Sequence, residues 1–299
     1  MKLLSFTLNE HDANASFSVN GKVKYISTER LFSVKHHEIR NLSHWKDILP
    51  IVSDFDAVAV IDYTQKFNQN EVVKKVDYNL SVPTYVVDHH FAHALSAWPV
   101  QSLSDHCFVF DGQGNNTTTH TLFSNGKIAK KHDRYLDGSI AVELKNVGRH
   151  LKLKGAHQGT LQELDLAGKV MGYQSYGAIN SNYYSYLESI DFQDIKTMWT
   201  YPQNFEISYL DWLRTVHEHT GDRLLRYISK NKGSKCFSGG LAQNSVFNGK
   251  LYKNTNTNFF PHVSDCGLSL GGIEFLRRLF SLDNLIIDNF PFCQSTDES

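Results

Sequence analysis

Apolar residues in this chain fall into short blocks separated by polar turns rich in asparagine and glycine. Leu3-Leu4-Ser5-Phe6-Thr7-Leu8 reads as a strand, Asn9 to Asn14 as a polar turn, and Ala15 to Val19 as a second strand. Asn20-Gly21 marks a two-residue hairpin, because a type I′ turn needs positive φ at both central positions. Lys22 to Thr28 then alternates as a third strand. The plan returns later. Cys107 to Phe110 is apolar, Asp111 to Thr117 is a turn, Thr118 to Phe123 a strand, Asn125-Gly126 a turn, and a third strand starts at Lys127. The two Asn-Gly-Lys turns lie 105 residues apart, a period that suits a duplicated domain rather than a solenoid.

Each half continues with helices alternating with buried strands. In the first, Asp56 to Ile61 and Val82 to Val87 are strands, the latter feeding a helix from His89. In the second, a long helix spans about Ser208 to Asn231 and a strand covers Lys235-Cys236-Phe237. After Gly239-Gly240 come a helix from Leu241 to Tyr252, a strand at Asn258-Phe259-Phe260 and a last helix from Gly267 to Phe280. Alternation of this kind predicts mixed α/β layers. Two βββαβαβα halves around a nucleotide-binding cleft is the plan of the duplicated RNase H-like, or actin-like, fold. The expected division is 1–104 for the first half, 105–290 for the second and 291–299 for a tail.

Composition narrows the class. With 299 residues, 41% of them hydrophobic, the chain can bury a sizeable core. Its 30 Lys+Arg against 31 Asp+Glu exclude disorder and a globally basic nucleic-acid binder, though not a local basic groove. A mean hydropathy of −0.36 and the absence of an 18-residue apolar run predict no membrane span. Four scattered cysteines without a CxxC point to a reducing, cytoplasmic setting. The unusual count is fifteen histidines.

Two of them, His89 and His93, stand at i and i+4 where a helix is expected, on one face and about a turn apart. Such a pair is half of a metal site. Asp111 ends an apolar strand and opens Asp-Gly-Gln-Gly; Asp265 precedes the final helix, where N-capping is the alternative reading. Two histidines and two aspartates make a mixed N/O set suited to Fe(II), Mn(II) or Zn(II). Ser238-Gly239-Gly240, between a strand and a helix, lets a nucleotide approach the backbone, with tight helix–strand packing as the alternative. Ala167-Gly168-Lys169-Val170-Met171-Gly172 is not a P-loop. The clusters Thr28-Glu29-Arg30 and Lys35-His36-His37 read most simply as a solvated edge.

Taken in order, these segments resemble the NodU/CmcH-type O-carbamoyltransferases, whose catalytic domain is similar to that of tRNA threonylcarbamoylation enzymes. The family's HDAS corresponds to His11-Asp12-Ala13-Asn14, and its ERFxRxKH to Glu29 through His36. HHxxHA stands intact at His89 to Ala94, DGxG at Asp111 to Gly114 and GKVMG at Gly168 to Gly172. GGxAxN covers Gly239 to Asn244, and PxxxDxGLxxG runs from Pro261 to Gly271. The resemblance implies that His89, His93, Asp111 and Asp265 ligate one metal, Fe(II) or another divalent ion. It also implies that Gly112, Gly114, Lys169, Gly172, Gly239, Gly240 and Asn244 hold the nucleotide. The implied reaction moves a carbamoyl group from carbamoyl-adenylate, made from carbamoyl phosphate and ATP, to a hydroxyl. His11 is the expected catalytic base and Lys35 the expected contact to phosphate or carbamoyl.

Departures from the pattern concern Asn14, Ser33, Asn115, Tyr173, Gln174 and Ser175, expected to face the acceptor. That acceptor is expected to be a hydroxymethylated pyrimidine, in a nucleotide or in DNA, or a sugar- or antibiotic-like molecule. Lys127, Lys130, Lys131, Lys145, Arg149, Lys152 and Lys154 could form a DNA groove or a solvated helix face. Relatives continue into a YrdC-like domain that makes the adenylate; here the junction is expected at Pro291, and either a separate YrdC-like protein supplies the adenylate, or this domain carries out the whole reaction, or the chain is inactive. Two other readings are a threonylcarbamoylation-type component and a non-catalytic ATP-binding partner module.

Overall fold

In the computed structural model both Asn-Gly hairpins form as expected, with φ of 53° and 79° at Asn20 and Gly21 and 49° and 73° at Asn125 and Gly126. The structure describes residues 1–49, 54–96, 104–133, 138–154, 160–191 and 194–287; the expected junction at Pro291 and the tail 291–299 lie outside them. The first half contains β1 (Leu3–Leu8), β2 (Asn14–Val19), β3 (Lys22–Ser27), β4 (Ala57–Asp62), β5 (Val73–Lys75) and β6 (Thr84–Val87). Its helices are α1 (Thr28–Phe32), α2 (Leu42–Ile48) and α3 (His89–Leu95). The second half contains β7 (His106–Phe110), β8 (Thr118–Ser124), β9 (Lys127–Asp133), β10 (Lys235–Ser238) and β11 (Thr257–Asn258). Its helices are α4 (Ile140–His150), α5 (Leu166–Tyr173), α6 (Ser181–Glu188), α7 (Ile195–Met198), α8 (Tyr209–Ser229), α9 (Ser245–Asn254) and α10 (Leu268–Leu279); β12 (Ile286–Ile287) follows.

Among the described residues there are two mixed sheets. The first has the order β12-β3-β2-β1-β4-β6-β5 and the second β11-β10-β7-β8-β9. Strands β3-β2-β1-β4-β6 and β9-β8-β7-β10-β11 repeat one pattern: two antiparallel pairings, then two parallel ones. Both polar turns, after β1 and after β7, therefore emerge at equivalent sheet edges facing one cleft.

Two expectations need correction. Between β4 and β6 there is no helix but the antiparallel edge strand β5. The last helix, expected in the second half, packs on the first sheet instead. Its residues Leu268, Leu270, Ile273 and Leu276 share a buried cluster with Leu3, Ala59, Ile61 and Ala92, and β12 pairs with β3. Two glycines permit this approach, because a Cβ on Gly271 would stand 2.0 Å from the Ala92 carbonyl oxygen and one on Gly272 2.0 Å from Ser5 Oγ. The opposite face of the first sheet buries Phe6, Val58 and Val60 against Trp45 of α2, whose indole N–H donates to the Thr7 carbonyl.

Since α10 seats on α3 with no room for a methyl group, Gly271→Ala should cost about 1–3 kcal/mol or more. Gly168→Ala, on exposed α5 with nothing near its Cβ, should gain up to about 1 kcal/mol from helix propensity. Urea melts of the two variants would test this; equal effects would refute the packing argument.

Candidate functional site: a His2Asp2 cluster beneath a cleft

Strand β6 ends at Asp88, whose side chain caps α3 by accepting from the Phe91 amide. The cap starts the helix at His89, so His89 and His93 project from one face and their rings meet at 4.8 Å. Their Nε2 atoms stand 3.2 Å apart. Asp111, just past β7, brings Oδ2 to 3.0 Å from His89 Nε2, while its Oδ1 accepts from the Gly240 amide. Asp265 Oδ1 lies 3.1 Å from His93 Nε2 and 3.6 Å from His89 Nε2. N-capping does not explain Asp265: the N-cap of α10 is Gly267, and no side chain caps that helix.

These four groups offer ligand atoms all within 4.8 Å of one another. Four ligands at bond lengths of about 2.1 Å around a tetrahedral ion stand about 3.4 Å apart; here the edges that include a histidine run from 3.0 to 4.0 Å, and the Asp111–Asp265 edge lies within 4.8 Å. Two imidazole nitrogens and two carboxylate oxygens, all buried, converge without a thiolate. That donor set fits a divalent ion of the Fe(II), Mn(II) or Zn(II) kind. The electrostatics agree. Burial would lower the His89 pKa, but Glu10, Asp111 and Asp265 outweigh it and hold it well above its usual value. Burial would raise Asp111, and His89 outweighs it, with His93 and His90 adding, so the carboxyl is held well below its usual range.

A second row of side chains extends the cluster. His11 Nε2 is 3.3 Å from Asp265 Oδ2, and its Nδ1 is 2.8 Å from Asp12 Oδ2. Asp12 Oδ1 is 2.9 Å from His36 Nδ1, and His36 Nε2 is 3.3 Å from Asp165 Oδ1. Lys35 also pairs with Asp165, so a residue ahead of α5 in the second half meets two residues of the first. Burial works against a charged His11, yet Asp265, Asp12 and Glu10 push its pKa up to about 10. Asp12 holds its Nδ1, while Nε2 faces Asp265 and the cleft, the nitrogen a proton-transfer role would use. The row borders a cleft of about 620 Å³ lined also by Tyr63, Gly112, Gln113, Lys145, Gly240 and Gln243.

Not every expected nucleotide contact reaches this cleft. Gly112 and Gly240 line it. Gly114 packs under His90, where a Cβ would come within 2.6 Å of the ring. Gly239, at φ 90°, lies against the Phe110 carbonyl. Asn244 is buried and structural: Oδ1 accepts from the Val246 and Phe247 amides at the start of α9, and Nδ2 meets His217 Nε2 at 3.0 Å. Lys169 is exposed and donates to the Lys154 carbonyl, and Gly172 is exposed on the same helix. Packing and capping thus account for much of what the glycine and asparagine motifs encode.

The departures divide similarly. Asn115 is buried, accepting from the His89 amide and donating to the carbonyls of Asp62, Tyr63 and Gln65. Asn14 ties the carbonyls of Asp12 and Asp265 to the Ser269 amide, and Gln174 is buried beside Arg214. None of these three lines the cleft; Ser33, Tyr173 and Ser175 are exposed. Lys127, Lys130 and Lys131 lie on β9 and Lys145 and Arg149 on α4, so the lysine-rich stretch is neither one helix face nor one track. Glu10 and Asp165 were not singled out by sequence, Asp12 entered only within the HDAS match, and His36, read as part of a solvated edge, is half-buried between Asp12 and Asp165. Of these, the alternation of His, Asp and Glu around residue 11 was the available signal.

No protein-family model matches the chain, and no curated protein matches it. Among solved structures, it is similar to component A of (R)-2-hydroxyglutaryl-CoA dehydratase from Acidaminococcus fermentans, with 12% identity, a TM-score of 0.52 and coverage of 92% of this chain and 97% of that one. It is also similar to full-length HypF in a phosphate- and nucleotide-bound form, with 13% identity, a TM-score of 0.55 and coverage of 95% of this chain but 47% of that one. The chain spans about half of HypF. These likenesses establish the class: a duplicated actin-like α/β fold. No helix among the described residues is long and apolar enough to cross a membrane.

Several buried imidazoles set an acid limit on stability. Burial, followed by Arg214 and Lys250, lowers His217 to about 3, and burial with Arg223 lowers His219 to about 4. Burial also holds His90 and His120 well below their usual value. Unfolded, each titrates near its ordinary pKa of about 6.5, so below that pH the unfolded chain binds more protons and stability falls as pH falls toward 4. His11, His36 and His89, raised by their carboxylate neighbours, and Glu10, raised by burial, act the other way as pH falls from 7, since there the folded chain holds more protons at these groups than the unfolded one. That opposing contribution is nearly complete below about pH 5, so urea midpoints of the metal-free chain should drop between about pH 5 and pH 4; a flat profile there would contradict the neutral, buried assignment.

Proposed function

We propose that this protein is a metal-dependent O-carbamoyltransferase that uses carbamoyl-adenylate as donor and a hydroxyl compound as acceptor. The carrying observation is the His89–His93–Asp111–Asp265 cluster on the floor of a cleft between two actin-like halves. The ordered motifs from His11 to Gly271 support it, as does the phosphate- and nucleotide-bound state named for the structurally similar HypF. In the reaction the acceptor oxygen bonds to the carbamoyl carbon, the bond from that carbon to the AMP phosphate oxygen breaks, and one proton is released.

His89, His93, Asp111 and Asp265 would hold a divalent ion, which would supply Lewis-acid stabilisation of a phosphoryl or carbamoyl oxygen. The chain's own groups do the positioning. Gly112 and Gly240 leave the floor open beside Asp111, so an anionic group can approach the backbone closely. His11, oriented by Asp12 at Nδ1, presents Nε2 to the cleft beside Asp265, where it is placed to exchange a proton with the reacting oxygen. Lys35, paired with Asp165, supplies a cationic group at the mouth, shared between the two halves. Alignment of donor and acceptor between the halves contributes several kcal/mol, by analogy with oriented intramolecular reactions at about 7–11 kcal/mol.

The test is incubation of the full chain with carbamoyl phosphate, ATP and Fe(II), with and without a YrdC-like protein. Candidate acceptors are nucleosides, DNA and sugars bearing a free hydroxyl, and products are read by mass spectrometry. A mass gain of one carbamoyl group on an acceptor is expected. The His89→Ala/His93→Ala variant should lose it by about a thousand-fold, if the ion supplies a few kcal/mol to the transition state. ATP binding without transfer to any acceptor would favour the partner-module reading instead.

A further inference from the structure

Glu10 is a buried carboxylate that the proposed reaction does not use. It follows β1 in the polar turn, where Asn9 takes a positive φ of 58° and an isolated bridge pairs Glu10 with Ile39. Only 3% of the residue is exposed. Its Oε1 stands 3.1 Å from Nδ1 of His89, itself 1% exposed. Neither atom has a hydrogen-bond partner elsewhere among the described residues. The opposite nitrogen of the same ring, Nε2, is the one that faces Asp111, His93 and Asp265. His93, the other ligand histidine, has no carboxylate behind it, and its Nδ1 is without a hydrogen-bond partner among the described residues.

We infer that Glu10 is a positioning residue: its carboxylate holds His89 with the proton on Nδ1, which leaves the Nε2 lone pair directed at the metal position. The inference rests on the reading that His89, His93, Asp111 and Asp265 hold a divalent ion. The chemistry follows from the donor inventory. A neutral imidazole has one N–H and one lone pair, and the partner of one nitrogen decides the state of the other. When ionised, the Glu10 carboxylate can only accept, so Nδ1 beside it is then the donor. A buried carboxylate is costly unless paired, and this pairing gives Glu10 a partner and His89 a fixed ring orientation. Carboxylates placed behind ligand histidines also raise ligand basicity. A glutamine of the same shape can instead turn its NH2 toward Nδ1, favouring the tautomer whose Nε2 is protonated and cannot ligate.

The experiment is a metal titration of the full chain, using Zn(II) against a competing chelator, for the wild type, Glu10→Gln, Glu10→Asp and His89→Ala/His93→Ala. Thermal melts of the metal-free forms run alongside. One ion per wild-type chain is expected. Glu10→Gln should bind one ion with Kd about 10–100-fold weaker, the range seen when such outer partners are removed. Glu10→Asp, whose carboxylate stops a methylene short, should fall in the same direction and carries the test if the glutamine variant does not fold. An unchanged Kd in a folded Glu10 variant, even with a lowered melting temperature, would show a structural glutamate and overturn the proposal. If the double histidine variant binds as tightly as wild type, or wild type binds no ion, the four-ligand reading fails and the positioning role with it.

Discussion

Burying Glu10, Asp111 and Asp265 around the single ring of His89 is the constraint on which the rest of this structure depends. Carboxylates taken out of water are costly unless charge and hydrogen bonds compensate. Here the compensation comes from His89, His93 and His11, and a divalent cation would complete it. None of these partners is local in sequence. Asp265 and His93 are 172 residues apart, so the site exists only when both halves are folded and the last helix has crossed back. The packing of α10 on α3 is thus a condition for the chemistry, and Gly271 is the position where it is most easily broken.

Duplication explains why the site can sit where it does. Each half ends its first strand at the cleft and leaves through a polar turn, one carrying Glu10, His11 and Asp12, the other Asp111 and Gly112. Positive φ at Asn9 and Asp12 in one turn, and at Asn116 and Thr117 in the other, shows how far both turns depart from a simple hairpin. The halves have diverged in what they present. Of the four ligands, the first contributes both imidazoles, from α3, and the second both carboxylates. A metal site that draws ligands from both favours a closed arrangement of the cleft when loaded, since binding stabilises the state that holds all four groups together.

How much of this was legible in the sequence depended on whether periodicity or tertiary contact decides the feature. The hairpins at Asn20-Gly21 and Asn125-Gly126 were legible because turn chemistry is local, and the HxxxH pair because helical spacing puts His89 and His93 on one face. Asp111 and Asp265 could be named only through the order of several motifs, since an aspartate before a helix looks the same whether it caps or ligates. The same ambiguity worked in reverse at Asn244, where a motif position spends its side chain on capping α9 and on His217. Glu10 was hidden for a different reason. It neighbours His11 in sequence, but its partner His89 lies on α3, 79 residues away, and nothing local marks that contact. Asp165 was hidden because its partners, Lys35 and His36, lie 130 and 129 residues away.

The charge arrangement also bears on what can enter the cleft. Basic residues that looked contiguous between Lys127 and Lys154 are split between the edge strand β9 and helix α4, and several are already paired: Lys131 with Asp88 and Arg149 with Glu163. A polyanion gains affinity from many phosphate contacts along a continuous basic track, and the stretch does not build one. The cleft wall instead mixes Lys35, Arg40 and Lys145 with Glu29, Glu38 and Glu163. Such a wall suits a compact substrate held by a few directed contacts better than a duplex held by its backbone. If a nucleic acid were the acceptor, this arrangement would fit a single nucleotide delivered into the cleft, with most of the binding free energy coming from the reacting group and its immediate neighbours.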